Sequence, residues 1–411
     1  MPITSTTPKV IPPTDPLDTD VSDSLRVAIL LDPLTMSLDP SFNLKVKWGN
    51  HAPALARELL GRGYTVRGFG APPGVIPRSS EVEFEDSRAS AWWSKLRSYN
   101  PDVLVAYDAL SGAAFRGARM ARKLNATLVL VEAALPGGGT WFDRTLARMG
   151  EKLFGPYVRR TARALVAFDQ VARKQALSEG FAPEIVSVVR HGVDTQTFRP
   201  GLTSTLVARQ RIRGRILLYV GRLTRERGVD DLIAAFGRTL AQRSDWNLVL
   251  CGEGSHQPEL RAMADRLGIA ARVHWMGFPR REELPGLIGA SSIFATPARD
   301  DLVVGRQITR AMACGVPVLA SDLPRLRDLV IHEETGLLVE PGNVDAWTEA
   351  IRRVASSPVA RERWAKNGRE RAVAELSWQA VVDRFEEVFA QARGVEIEEA
   401  PLAETSRPRE A

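Results

Sequence analysis

Short apolar runs alternate with amphipathic stretches along most of the chain. In the first half, runs of strand length occupy residues 27–31, 64–68, 103–107, 127–132, 164–168 and 185–189. The pattern then restarts, with runs at residues 216–220, 246–251, 273–276, 292–296, 316–321 and 336–339. Apolar runs separated by amphipathic helices are typical of parallel sheets covered on both faces. The pattern therefore predicts an α/β protein of two doubly wound, Rossmann-like domains in tandem.

Turn residues and prolines between residues 193 and 213 predict where the two domains meet. We expect a disordered N-terminal tail at 1–24, domains at 25–195 and 196–375, a final helix at 376–392 and a disordered acidic tail at 393–411. The final helix repeats apolar residues at helical spacing and needs a surface to cover, so we expect it to pack back on the first domain. Two such domains place a cleft between the carboxyl ends of their sheets, which is the usual ligand site.

Composition and charge narrow the class of protein. At 411 residues the chain exceeds one compact core. Its net charge is +6, and because both tails are acidic the body between them is more basic than that value indicates. Such a body attracts anions. No apolar run approaches the roughly 20 residues that span a bilayer, and no secretory signal opens the chain, which predicts a cytoplasmic protein. Cys251 and Cys314 each end an apolar segment beside glycine, as expected of reduced, buried thiols.

An ordered series of motifs follows in the second half. From Tyr219 the chain reads YVGRLTRERGVDDLIAAF, a strand followed by Gly-Arg, a short loop, a basic residue with glycine, and a helix. Residues 251–297 place a glycine pair after the next strand. Residues 295–322 then supply a strand, a polar loop, Gly305, a helix start and GVPVLASD, before TGLLVEPGN at 335–343. A helix start in such a βα unit suits an anion, because its N-terminus is electropositive.

Together these motifs resemble those of family 4 retaining glycosyltransferases (glycosyl transferases group 1), and the similarity spans about residues 25–392. The resemblance implies the GT-B fold, in which two Rossmann-like domains face an interdomain cleft. It assigns binding of the donor diphosphate to Arg222, Arg227, Gly305 and Arg306. It assigns binding of the nucleotide and of the donor sugar to Gly254, Phe278, Pro279, Asp300, Gln307 and Arg310. Two cations suit a leaving diphosphate that gains negative charge, although arginines in such a turn are also common at ordinary surfaces.

The donor loop departs from the pattern of the family, which usually has a glutamate before the loop and another eight residues later. With Gly305 on the loop glycine, Arg310 takes the second position and Leu302 the first, unless one extra loop residue makes Asp301, beside Asp300, the first acid. A glutamate accepts from the nucleotide ribose, whereas an arginine can only donate. Arg310 is thus a new phosphate or carboxylate contact, a sign of lost nucleotide binding, or a surface arginine. We take it as a specialised contact in an active transferase.

The first domain departs in similar places. Its opening loop, residues 41–51, has Lys47, Gly49 and Asn50 where the family has a glycine-rich loop, and we assign these residues with Asp108 to the acceptor side. Glu132 stands where many relatives have a histidine. A carboxylate at a strand end in a basic cleft can orient an acceptor hydroxyl or take its proton, so Glu132 and Asp301 are our catalytic candidates. The alternative for Glu132 is an ion pair with a nearby arginine.

These features predict an enzyme that moves a hexose-type sugar from a UDP- or GDP-sugar to a sugar, lipid-linked or small-molecule acceptor, retaining anomeric configuration. No metal or other cofactor and no nucleic acid is implied. The alternative is an inactive binding or partner subunit that keeps the fold. The basic amphipathic stretch at 141–160 is of a kind that rests on an anionic membrane, here the inner face, although such stripes are more often buried within their own domain.

Overall fold

The computed structural model describes residues 24–31, 51–71, 82–86, 92–109, 112–132, 153–239, 245–300 and 305–394. Within these ranges two parallel sheets form, one of seven strands in the order β3-β2-β1-β4-β5-β6-β7 and one of six in the order β10-β9-β8-β11-β12-β13. Helices separate most of the strands along the chain. The predicted α/β class is confirmed. The tails, for which disorder is predicted, lie outside the described residues except for the start of the second.

The elements of the first sheet are β1 Arg26–Leu30, α1 His51–Gly61, β2 Thr65–Ala71, β3 Phe84–Asp86, α2 Trp92–Tyr99, β4 Val103–Tyr107, α3 Gly112–Leu124, β5 Thr127–Glu132, α4 153–161, β6 Ala164–Ala167, α5 Gln170–Ser178 and β7 Val186–Val188. The apolar runs locate these strands to within a few residues, except for β3. This strand is missed because it is a short edge strand with two acidic residues and no apolar run.

The elements of the second sheet are α6 Thr205–Arg209, β8 Arg215–Val220, α7 Val229–Thr239, β9 Trp246–Cys251, α8 Gln257–Arg266, β10 Val273–Gly277, α9 Leu284–Gly289, β11 Ile293–Thr296, α10 Arg306–Ala313, β12 Val318–Ser321, α11 Pro324–Arg327, β13 Gly336–Val339, α12 Val344–Ser356 and α13 Pro358–Glu375. Side-chain caps fix several boundaries. Asn343 and Ser357 accept hydrogen bonds from the first turns of α12 and α13, which satisfies amides that the helices leave unpaired.

The last helix, α14 Trp378–Arg393, covers the first sheet rather than the second. Its apolar face joins one core with α1 and strands β1, β4, β5 and β6, through Trp378, Val381, Val382, Phe385, Val388 and Phe389. On α1, Leu55 and Leu59 are buried in the same core, whereas Leu60 is 40% exposed. The chain therefore completes the core of its first sheet with its last helix.

The two connections between the sheets cross at one place. The Val193 amide donates to the Leu376 carbonyl oxygen at 2.8 Å, and the Trp378 amide donates to the Val193 carbonyl oxygen at 3.2 Å. Trp378 packs so closely on Gly192 that a Cβ there would lie 2.5 Å from the indole ring. Both covalent links between the sheets thus pass through a single hydrogen-bonded crossing.

Candidate active site

Each sheet has one position at which the chain order of its strands reverses. These switch points lie between β1 and β4 in the first sheet and between β8 and β11 in the second. In doubly wound sheets the loops that leave the carboxyl ends of the strands at a switch point form the ligand crevice. The loop after β8 carries Arg222 and Arg227, and the segment after β11 leads into α10. Asp108 follows β4 directly.

A tight turn holds the two arginines after β8. The Tyr219 hydroxyl donates to the Arg222 carbonyl oxygen at 2.7 Å, and the Arg227 amide donates to the Thr224 carbonyl oxygen at 3.0 Å. Between them, a hydrogen bond from the Thr224 hydroxyl lowers the pKa of Glu226, and the positive charges of Arg222 and Arg227 lower it further. The turn therefore places the positive charges of Arg222 and Arg227 within reach of one carboxylate, that of Glu226.

The loop after β9 packs directly on this turn. A Cβ on Gly254 would lie 2.2 Å from the Leu223 carbonyl oxygen, so only glycine permits the contact. After β10, Phe278 is 62% exposed and Pro279 is half-buried. An exposed aromatic ring offers a face on which a nucleobase can stack. Of the three predicted residues, Gly254 thus lies against the turn of β8, and Phe278 and Pro279 follow β10.

Helix α10 begins with the residues predicted to hold phosphate. Gly305 is its N-cap in the left-handed conformation, with φ of 59°, and Arg306 and Gln307 form the first turn. Burial lowers the pKa of Arg306. The amides at the start of α10 and its helix dipole favour an anion. Asp300 is half-buried at the end of the preceding described range, and Asp301 lies outside the described residues.

Arg310 lies one turn further along α10, between the helix and the interdomain linker. Its guanidinium carbon is 5.1 Å from the centre of the Phe198 ring, and its Nη1 donates to Gln307 Oε1 at 3.2 Å. Burial, with the positive charges of Arg306 and Arg281, lowers the pKa of Arg310 to about 10. It remains charged at pH 7, and among the described residues no carboxylate forms an ion pair with it.

On the acceptor side the structure describes fewer of the predicted residues. Asp108 has a φ of 62°, rare for a residue with a side chain, and its amide donates to the Val131 carbonyl oxygen at 2.9 Å. Glu132 ends β5 and pairs with Ala167 of β6, so its backbone lies at the carboxyl edge of the sheet. The Glu132 side chain lies outside the described part of the chain, as do Lys47, Gly49 and Asn50.

A buried aromatic cluster beside the cleft was not identified from the sequence. His51, the first residue of α1, has its Nδ1 2.7 Å from the Tyr107 hydroxyl, and its ring centre is 5.3 Å from that of His191 and 5.1 Å from Trp378. Burial lowers the pKa of His51 to about 3, helped by the charge of Arg306, and lowers that of His191 as well. In the sequence, His51 is only the last residue of the opening loop at 41–51.

Acidification is expected to destabilise the protein through these two histidines. An unfolded histidine has a pKa of about 6.5, whereas the folded pKa of His51 is about 3, so below pH 6.5 the unfolded chain binds protons that the folded chain does not. The free energy of unfolding should therefore be highest above pH 6.5 and fall by up to about 1.4 kcal/mol per pH unit for each histidine. Urea unfolding between pH 7.5 and 5.5 measures this slope.

A His51→Asn variant should reduce the slope by about one proton, whatever it does to stability at pH 7.5. Tyr107→Phe is the matched control, because it removes the hydrogen bond to His51 but no group that titrates in this range. Equal slopes for His51→Asn and the unmodified protein would contradict the assignment.

An ion pair joins the two domains across the cleft. Arg325 of α11 donates through Nη1 to Asp169 Oδ2 at 2.9 Å, with side-chain exposures of 8% and 14%. Next to it, Asp328 Oδ2 accepts from the Gln170 amide at the start of α5 at 2.8 Å. Burial raises the pKa of Asp169, although Arg325 opposes the shift. A small enclosed cavity adjoins these contacts and is lined by Phe168, Asp169, Arg190, His191, Thr309, Arg325, Asp328 and Leu329.

The described residues contain neither a metal-binding cluster nor a membrane-spanning helix. Among them no three histidine, cysteine, aspartate or glutamate side chains converge as metal ligands. None of their helices is both long and apolar enough to cross a membrane. Cys251 and Cys314 are buried free thiols, in agreement with the prediction that they are small core side chains.

Comparison with known proteins shows what the second domain is similar to. The family model described as Glycosyl transferases group 1 matches residues 208–371, which hold the β8 turn, the β9 and β10 loops and α10. Over this range the chain is similar to members of that family. A glycogen synthase of Mycobacterium tuberculosis is 28% identical to it over 313 residues, which cover 74% of this chain and 72% of the relative.

Two further relatives bear on the function of the protein. A GDP-mannose-dependent monoacylated alpha-(1-6)-phosphatidylinositol monomannoside mannosyltransferase of Corynebacterium glutamicum is 29% identical over 209 residues, 48% of this chain and 54% of that relative. The crystal structure of Anabaena Alr3699/HepE in complex with UDP and glucose superposes with a TM-score of 0.68 at 19% identity, covering 89% of this chain and 99% of that one. The superposition confirms the predicted GT-B fold.

Proposed function

We propose that this glycosyltransferase moves a hexose-type sugar from a UDP- or GDP-sugar to an acceptor hydroxyl with retention of anomeric configuration. One observation carries the proposal. The two guanidinium groups after β8 and the N-terminus of α10 after β11 lie at the same switch point of the second sheet. Three sources of positive potential at one crevice suit a nucleoside diphosphate, whose negative charge grows as it leaves the sugar.

In the proposed mechanism the second domain binds the donor and the first domain binds the acceptor. Arg222, Arg227 and the amides at Gly305 and Arg306 stabilise the departing diphosphate, so the site needs no metal for that charge. Phe278 and Pro279 bind the nucleobase, and Asp301 with Asp300 binds the hydroxyl groups of the donor sugar.

Glu132 orients the acceptor hydroxyl or takes its proton, and Asp108, Asn50, Gly49 and Lys47 line the acceptor side. Support for this comes from the backbone position of Glu132 and Asp108 at the carboxyl edge of the first sheet, facing the cleft.

The comparisons support both nucleotides and more than one acceptor class. The Anabaena structure contains UDP and glucose, whereas the Corynebacterium relative is named for GDP-mannose and a phosphatidylinositol mannoside. We therefore include sugar, lipid-linked and small-molecule acceptors, in glycolipid, cell-envelope polysaccharide or small-glycoside synthesis. Leu153 and Phe154 on α4 are 69% and 44% exposed beside Arg160. Apolar side chains with adjacent cations support peripheral contact of a cytoplasmic enzyme with an anionic membrane surface.

A panel of UDP- and GDP-sugars with glucosyl, lipid-linked and small-glycoside acceptors tests the function. Transfer should occur from one donor, and proton NMR of the product formed first should show the anomeric configuration of that donor. A product with the opposite anomeric configuration would contradict the proposed retention. If calorimetry detects no nucleotide binding, and no donor supports sugar transfer or hydrolysis, the inactive partner subunit is favoured instead.

Arg310 is the donor contact that we expect to depend most on charge. It lies beside Arg306 and Arg281 with no carboxylate partner among the described residues, so an anionic ligand would relieve their repulsion. Arg310→Ala should weaken binding of the preferred nucleoside diphosphate by about tenfold, which corresponds to one charged hydrogen bond. Calorimetry measures the Kd. Arg310→Lys should retain part of the affinity.

Arg266→Ala, on the last turn of α8, serves as the remote control. An unchanged Kd in Arg310→Ala, with a lowered melting temperature, would show that Arg310 only packs against Phe198.

A further inference from the structure

Arg299 follows β11 and makes contacts with two other segments of the second domain. Its Nε and Nη2 donate to the two carboxylate oxygens of Asp231 at 3.0 and 2.6 Å, and Nη2 also donates to Asp230 Oδ2 at 2.9 Å. Its Nη1 donates to the Arg225 carbonyl oxygen at 3.3 Å. One guanidinium thus joins the start of α7 to the turn after β8.

The Asp231 carboxylate is the buried partner of this arrangement, with a side-chain exposure of 5% against 34% for Arg299. Burial raises the pKa of Asp231, and Arg299 opposes that shift. A carboxylate held this deep needs a matched cation, and the planar guanidinium provides two parallel hydrogen bonds that an ammonium group cannot. The pair therefore fixes the orientation of the two side chains and also compensates the buried charge of Asp231.

The backbones of the two loops are also in direct contact. The Arg299 amide donates to the Glu226 carbonyl oxygen at 2.9 Å. Gly228, with φ of 63°, lies so close to the end of β11 that a Cβ there would be 1.9 Å from the Pro297 carbonyl oxygen. Because no side chain fits between them, small movements of one loop displace the other.

We propose that Arg299 is a positioning residue that holds the turn bearing Arg222 and Arg227 in register with the segment leading to α10. The role rests on the proposed function, because it is the donor diphosphate that needs both loops at once. Neither loop is part of a strand ladder, so the contacts of Arg299 and Gly228 contribute directly to their alignment with each other. Displacements of about 1 Å between groups that act on one transition state lower rates by about a hundredfold.

Kinetics of Arg299→Ala and Arg299→Lys test this role. Arg299→Ala should raise the donor KM and lower kcat, reducing kcat/KM for the donor by about 10- to 100-fold while the acceptor KM stays the same. Arg299→Lys should recover part of that loss, because it keeps the charge opposite Asp231 but not the parallel hydrogen bonds. Arg238→Ala is the matched control, since it removes an exposed ion pair with Asp345 at the other end of α7.

Hydrogen exchange gives a readout that does not depend on turnover. In Arg299→Ala the amides of residues 222–228 should exchange at least about tenfold faster, because their opening loses about one charged hydrogen bond, while β8 and β9 keep their protection. Unchanged exchange at 222–228 would overturn the proposal, as would a lowered melting temperature with unchanged donor kinetics. Absence of nucleotide binding by the unmodified protein would instead overturn the proposed function, and the exchange result would still decide whether Arg299 holds the turn.

Discussion

Replacing both Arg222 and Arg227 by alanine should lower kcat/KM for the donor by a factor of about 10³ or more. Removing a single preorganised donor at a developing charge costs about 10²–10³ in kcat, and here both cations of the turn are lost. Most of this loss should appear in kcat rather than in KM, because the charge on the diphosphate is greatest as it leaves. Steady-state kinetics of the double variant and of each single variant measure both terms.

Arg225→Ala is the control for this experiment, because it lies in the same turn and contributes its backbone carbonyl to Arg299. It should retain activity within a few fold. If both guanidinium groups contact the diphosphate, the double variant should lose more kcat/KM than either single variant. Equal kcat/KM in the double variant and the unmodified protein would place the diphosphate elsewhere.

Replacing Arg325 by alanine should cost about 3 kcal/mol of unfolding free energy or more. The change leaves the Asp169 carboxylate buried between the domains without its cation, and loss of one partner of a buried pair costs about 3–5 kcal/mol. Because Arg325 and Asp169 belong to different domains, the loss should also widen the cleft. Urea unfolding measures the first effect and small-angle scattering the second.

The double variant Arg325→Ala/Asp169→Asn separates charge from packing. An asparagine keeps the hydrogen bond that Asp169 accepts from the Ala172 amide as the N-cap of α5, but it removes the unpaired charge. Much of the lost stability should return. Arg215→Ala, which breaks the exposed pair with Asp245, should cost less than about 1 kcal/mol. A similar cost for Arg215→Ala and Arg325→Ala would contradict a buried interdomain contact.

The sequence predicts the sheets well because their central strands are buried on both faces. Residues such as Val103–Tyr107 must then be apolar at every position, which gives a run that is easy to recognise. The edge strand β3 is partly polar and gives no such signal. The alternating pattern also predicts every strand except β3, but it does not predict the order of the strands, because pairing depends on contacts between distant segments.

The residues of the predicted site also differ in how well they can be located from the sequence. Arg222, Arg227 and Gly305 could be located because short local motifs surround them. Arg299, Asp231 and Arg325 could not, because their importance lies in partners that are 68 and 156 residues away. His51 was missed for the same reason, since its burial depends on Trp378 at the other end of the chain.

The packing of α14 on the first sheet has a consequence for biosynthesis. A ribosome releases the strands of the first domain before the second domain, yet the helix that covers one face of their core is made after it. The second domain, whose strands and helices lie between, is free to fold first as a unit. We therefore expect the part of the protein that is synthesised first to be the part that finishes folding last, with Val27, Leu55 and their neighbours exposed until residues 378–393 emerge.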